Sequence, residues 1–149
     1  MQKILFVCHG NICRSPMAEF VMKKLVSDAG LDDEFFIESA ATSTEEIGND
    51  MHHGTKSVLR KHDIPFKRRA ARQITSSDYD RFDHIIIMDR YNRSNLSRII
   101  RSDPNGKINM LLDFTERGGD IADPWYTGNF DETYSDVLEG CTALLEKLR

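Results

Sequence analysis

The run His84-Ile85-Ile86-Ile87-Met88 places four large apolar residues in a row. A strand with one face in water alternates polar and apolar positions, whereas an unbroken run fits a strand covered on both faces. Such strands belong to parallel sheets sandwiched between helices. Three more short segments support this reading: residues 3–7 (Lys3-Ile4-Leu5-Phe6-Val7), Phe35-Phe36-Ile37, and a weaker fourth strand over residues 107–110. Helical patterns fill the intervals. Met17, Phe20, Val21 and Leu25 repeat at helical spacing, with Ser15 suited to the N-cap, Pro16 to the first helical position and Gly30 to the stop. Residues 55–62 form a second helix, ending before Pro65. Ser76-Ser77-Asp78 caps a short helix reaching Phe82, and residues 92–102 form another before Pro104-Asn105-Gly106. Residues 118–129 read as loop, and Val137, Cys141, Leu144 and Leu148 stripe a C-terminal helix. The expectation is one α/β domain over residues 1–149, a parallel sheet with helices on both faces.

Composition narrows the class. With 40% apolar and 30% charged residues, the chain has globular rather than disordered character. No apolar stretch approaches the roughly 18–20 residues that span a bilayer. Met1-Gln2-Lys3 leads straight into a strand without a signal-peptide pattern, so a cytoplasmic location away from membranes is expected. An odd number of cysteines, three, fits that compartment better than a disulfide framework. Cys141 falls in an apolar stripe and reads as packing. No His/Cys set has zinc-like spacing; His52 and His53 are adjacent, point apart on a helix, and read as solvated. The net charge is −4, yet Arg60, Lys61, Lys67, Arg68, Arg69 and Arg72 crowd one segment. That segment reads as a solvated surface, and nucleic-acid binding is not expected.

The chemistry concentrates where the first strand gives way to a helix, at Cys8-His9-Gly10-Asn11-Ile12-Cys13-Arg14-Ser15. A free thiol has a pKa of about 8.5; a helix N-terminus and a neighbouring guanidinium can lower it. The loop amides can turn inward as an anion nest, and Arg14 offers a planar fork for two oxygens of a tetrahedral oxyanion. Gly10 permits tight curvature, Asn11 tolerates a left-handed conformation, and Ser15 can cap the helix or hydrogen-bond the Cys8 sulfur. A phosphate held there presents its phosphorus to Cys8, and a cysteinyl-phosphate splits one hydrolysis into two steps without need of a metal or other cofactor. The leaving group needs a proton. Asp123, in Asp123-Pro124-Trp125-Tyr126, is the best carboxylic acid for it and can return as base for water. Alone, Asp-Pro marks a turn; beside the Cys8 loop it reads as an acid. Trp125 and Tyr126 can wall the cleft against an aromatic ring.

These residues resemble the low-molecular-weight protein tyrosine phosphatases. Cys8, Gly10 to Pro16, Ala18 and Glu19 match that family's C-x-G-N-I-C-R-S-P-x-A-E loop. Ser39-Ala40-Ala41-Thr42 is similar to its S-A-G-T segment. Phe82-Asp83 through Met88-Asp89, with Asn92, is similar to its F-D-x-I-x-x-M-D-x-x-N segment, and Asp123 to Tyr126 to its acid loop. The resemblance implies a three-layer, flavodoxin-like fold with a four-stranded parallel sheet. It also implies phosphotyrosine hydrolysis with Cys8 as nucleophile, Arg14 as phosphate clamp and Asp123 as general acid. Asn11 and Ser15 become loop supports; Gly10, Ile12 and Cys13 join the phosphate cradle; Cys13 can trap Cys8 as a reversible disulfide. The implied partners are phosphotyrosine-containing proteins, a tyrosine kinase among them, with inorganic phosphate as product and inhibitor.

The chain departs from the pattern at the rim. His9 stands where the family is often apolar, beside the nucleophile, where a protonated ring can help to hold a dianion. Glu45-Glu46 occupies a region where many relatives place an aromatic wall, which leaves substrate preference open. Three other readings compete. An arsenate reductase would need relay thiols, and residues 85–112 contain no cysteine. A protein-arginine phosphatase tends to carry threonine at the Ile12 position and to lack the aromatic pair after Asp-Pro. A non-catalytic phosphate-binding module would have no use for Cys8, Arg14 and Asp123 together.

Overall fold

The computed structural model describes residues 1–149. Four parallel strands form one sheet in the order β2-β1-β3-β4: β1 (Gln2–Cys8), β2 (Phe35–Ala41), β3 (His84–Ile87) and β4 (Ile108–Met110). Helices α1 (Arg14–Asp28), α2 (His53–Lys61), α3 (Asp78–Arg81), α4 (Arg90–Leu96), α5 (Pro124–Thr127) and α6 (Phe130–Leu148) complete the fold with two short 3-10 turns.

Strand alternation divides the core in two. Ile4, Phe6, Ile86 and Met88 face one layer, where they pack with α1, α6 and the Val58-Leu59 edge of α2. Leu5, Val7, Ile85 and Ile87 face the other, with Tyr79, Phe82 and Leu96. The unbroken run in β3 is explained by this: Ile85, Ile86, Ile87 and Met88 are all fully buried. Central position also puts the carboxyl ends of β1 and β3 side by side, with Val7 opposite Ile87. Ligands bind beyond such strand ends where the strand order reverses. Cys141 lies in the core, as its stripe suggested.

Several local expectations need correction. Helix α1 begins at Arg14 with Cys13 at the N-cap, so Ser15 and Pro16 sit inside the first turn rather than at the cap and first position. Helix α4 starts two residues earlier than expected. Asp89 accepts from the Asn92 N–H at 2.7 Å while the Asn92 side chain accepts from the Asp89 N–H at 3.2 Å, a reciprocal cap. The same helix stops at Leu96, where Ser97 Oγ turns back to the Ser94 carbonyl at 2.6 Å; serine and asparagine hydroxyls and amides compete with the helical ladder. The 118–129 segment contains one helical turn, α5, because Asp123 caps it through the Trp125 N–H and Gly128 closes it at φ 70°.

Candidate active site

The Cys8 loop is shaped by where its carbonyls go. The Cys8 carbonyl accepts from Thr42 N–H at 2.9 Å, that of His9 from Ser43 N–H at 3.1 Å, and that of Ile12 from His52 N–H at 2.8 Å. The Cys13 carbonyl takes the Thr55 hydroxyl at 3.2 Å. With the carbonyls held outward by the turn after β2 and by the start of α2, the N–H groups of Gly10 to Cys13 are not used on protein carbonyls. They are left for an anion at the start of α1. The left-handed residue of the loop is Asn11, at φ 59°. Gly10 does not take a positive φ, and a Cβ there would meet Glu46 at an ordinary 3.5 Å, so its expected role in curvature passes to Asn11.

Buried polar groups brace the loop from below. Asn11 Nδ2 donates to Ser15 Oγ at 2.8 Å and to Ser39 Oγ at 3.0 Å. Ser39 in turn donates to Glu19 at 2.7 Å, and Arg69 and the Arg72 N–H both reach Asn11 Oδ1. Arg69 and Arg72, counted from sequence among solvated surface charges, therefore turn partly inward; Arg72 also pairs with the buried Asp78 at 3.0 Å. Ser15 Oγ lies 3.1 Å from Cys8 Sγ and the Ser15 N–H points to the same sulfur at 3.4 Å.

Arg14 is only 2% exposed. Its Nη1 donates to Asp89 at 2.6 Å and to the Ile121 carbonyl at 2.9 Å, and its Nη2 reaches Asp123 at 3.4 Å. Burial works to lower the guanidinium pKa, but the charges of Cys8, Asp89 and Asp123 outweigh it and the net shift is upward. The Cys13 thiol goes up to about 12, chiefly through burial and then the Cys8 and Asp123 charges, so Cys13 stays protonated while lining the cleft.

The residues expected from sequence converge on one cleft of about 350 Å³. Cys8, Gly10, Ile12, Cys13 and Arg14 form its floor; Asp123, Trp125 and Tyr126 form one wall; His9, Glu45 and Glu46 form the mouth. Asn11 and Ser15 lie fully buried beneath it. His9 Nε2 bonds to the Glu45 carboxylate across the mouth, so neither side chain simply faces water. Glu46 is held by Asn49 Nδ2 at 2.6 Å. Sequence reasoning gave no role to Asp89, Ser39, Glu19, Arg69 or His52. The Asp89-x-x-Asn92 spacing of a reciprocal cap was the available signal for Asp89; Arg69 stood inside a basic run that concealed it.

Known proteins share this fold and much of this sequence. The family described as Low molecular weight phosphotyrosine protein phosphatase matches residues 3–149. The crystal structure of YfkJ from Bacillus subtilis superposes with a TM-score of 0.95 at 41% identity, covering 99% of this chain and 94% of that one. The mouse low molecular weight phosphotyrosine protein phosphatase is 42% identical over 98% of this chain and 95% of its own length. The crystal structure of a Drosophila arginine phosphatase superposes with a TM-score of 0.89 at 29% identity, covering 99% of this chain and 98% of that one. From the match over nearly its whole length and the identity to full-length relatives, the chain belongs to the low molecular weight phosphotyrosine protein phosphatase family.

Proposed function

We propose that this chain hydrolyses phosphotyrosine in proteins through a cysteinyl-phosphate on Cys8. The observation that carries the reading is the convergence of Cys8 and Arg14, from the two ends of one loop, with Asp123, from a segment more than a hundred residues away, on one cleft whose loop amides are free for an anion. The phosphoryl group lies on the amides of Gly10 to Arg14, and Arg14 holds its equatorial oxygens. The Cys8 thiolate attacks phosphorus as the bond to the tyrosyl oxygen breaks. Asp123, as the carboxylic acid, gives that oxygen its proton. Asp123, now a carboxylate, takes a proton from water as the water attacks phosphorus, and inorganic phosphate leaves with Cys8 restored. In the resting site Asp123 leans on Arg14 Nη2; a bound phosphate competes for that group and frees Asp123 for the leaving oxygen.

Ser15, within 3.1 Å of the sulfur, supports it by hydrogen bonding as a thiolate, and Asn11 fixes Ser15. Trp125 and Tyr126, both exposed, form the wall for the substrate ring. His9 and Glu45 set the mouth. Cys13 is the partner for reversible protection: a sulfenic acid on Cys8 condenses with the Cys13 thiol to a disulfide and water. The partners are phosphotyrosine proteins in the cytoplasm, a tyrosine kinase among them, with phosphate as a competing product. No helix is long and apolar enough to cross a membrane. The test compares phosphotyrosine and phosphoarginine peptides on wild type, Cys8→Ser and Asp123→Ala. Turnover of phosphotyrosine that vanishes in Cys8→Ser supports the reading; preference for phosphoarginine moves the substrate class.

A further inference from the structure

His52 joins the two halves of the cleft. Its backbone N–H holds the Ile12 carbonyl of the nucleophile loop at 2.8 Å. Its ring stacks on His53 with centroids 4.2 Å apart and on Phe130 of α6 at 5.0 Å and 19°. The expectation that the two histidines point apart fails because His52 is not helical: it is the N-cap of α2, with ψ 144°. On its outer side, Trp125 meets the imidazole edge-on at 5.7 Å and 83°. Trp125 is two residues from Asp123, and its backbone N–H donates to the Asp123 carboxylate at 3.0 Å. The backing is tight, since a Cβ at Gly54 would come within 2.5 Å of the Phe130 ring. His52 Nδ1 accepts from the Gly54 N–H at 3.0 Å, which requires an unprotonated Nδ1.

We propose that His52 is a positioning residue for the general acid: its ring, backed by Phe130 and His53, seats Trp125 and so sets where Asp123 stands over Cys8. The proposal rests on Asp123 being the acid. The seat works with the neutral ring, because a proton on Nδ1 would oppose the Gly54 N–H. Burial, and then the His53 charge, lowers the His52 pKa below the ordinary imidazole value; Glu46 acts in the opposite direction. Phe130 and Trp125 bring no charge to the ring, and Ile12 presents only its carbonyl. The neutral seat is therefore kept at neutral pH and lost in acid.

Two variants separate ring from cap. His52→Asn keeps a capping acceptor and removes the ring; His52→Phe keeps a ring and removes the acceptor. In His52→Asn, kcat/KM should fall roughly tenfold for phenyl phosphate, whose leaving oxygen needs a proton, since small misplacements of a reacting group are costly. It should fall less than about twofold for p-nitrophenyl phosphate, whose leaving group departs with less help. His52→Phe should stay within about twofold of wild type on both substrates while melting at a lower temperature, because a lost cap weakens α2. Trp125 is the chain's single tryptophan, so its emission reads the seat directly. In wild type it should change as pH falls below the ordinary imidazole range, and neither variant should show that step. Equal losses on both substrates in His52→Asn, a His52→Phe as impaired as His52→Asn, or an emission step retained in the variants would overturn the proposal. Asp123→Asn separates the underlying assumption: if Asp123 is not the acid, that variant shows no leaving-group dependence, while the emission step in wild type persists.

Discussion

Replacing Asp89 tests how Arg14, the proposed phosphate clamp, is held. Its carboxylate lies 2.6 Å from a guanidinium that is 2% exposed, and it also caps α4 through Asn92. Breaking a buried pair by removing one partner costs about 3–5 kcal/mol. Arg14 keeps the Ile121 carbonyl at 2.9 Å and the longer Asp123 contact at 3.4 Å, which puts the pair loss near the lower end, about 3 kcal/mol. Asp89→Ala loses the cap as well, adding about 1 kcal/mol. Asp89→Asn keeps an effective cap and a neutral acceptor, so it should cost about 2 kcal/mol. At roughly 2–4 °C per kcal/mol for a chain of this size, Asp89→Ala should melt about 8–16 °C lower and Asp89→Asn about 4–8 °C lower. Urea unfolding with an unchanged m-value checks that the folded state is what changed. The kcat/KM of both variants should fall, because Arg14 loses the group that aims it. If both variants stay within about 1 kcal/mol of wild type, or if Asn is as damaging as Ala, the pairing and capping argument is wrong.

Glu45→Trp should lower KM for phosphotyrosine peptides about two- to tenfold, the worth of one aromatic contact, by adding an aromatic wall at the mouth; steady-state kinetics with peptide substrates check it, and a raised KM refutes it. Alkylation followed by peptide mass mapping should leave Cys13 and Cys141 unmodified in the folded protein at neutral pH. Burial raises both thiol pKa values, that of Cys13 to about 12, and labelling of either at the rate of a free thiol would contradict the structure. Gly140→Ala should destabilise by about 1–3 kcal/mol despite the better helix propensity of alanine. The new Cβ would stand 2.5 Å from Cγ of Leu111, which is fully buried and cannot move aside; thermal melting reads the sign.

What was legible in the sequence followed from local chemistry. The run at β3 announced a strand covered on both faces, and the Cys8–Ser15 spacing announced the anion loop, because both signals are carried by neighbouring residues. The proposed acid, Asp123, could be singled out only in combination with the loop, since Asp-Pro by itself is turn chemistry; the structure places it in the same cleft. The supports were not legible, because tertiary packing assigns them. Arg69 became a brace and Arg72 a partner of Asp78 through the path of the chain after α2, and nothing in a run of basic residues distinguishes those two from Lys67 and Arg68. His52 was misjudged because helical geometry was assumed where the chain has an extended N-cap. The start of α1 was misplaced because Pro16 is tolerated anywhere in a first turn, where its missing N–H costs nothing.

The central claim is that phosphate passes through Cys8 with Asp123 moving the proton. Acid-quenched turnover of a phosphotyrosine peptide, followed by mass analysis of the peptide containing Cys8, tests it most directly. The account predicts a phosphate adduct on Cys8 in wild type, none in Cys8→Ser, and a larger adduct fraction in Asp123→Ala with p-nitrophenyl phosphate, where loss of the base slows hydrolysis more than it slows departure. Full turnover by Cys8→Ser, or turnover by wild type with the phosphate on another residue, would contradict it.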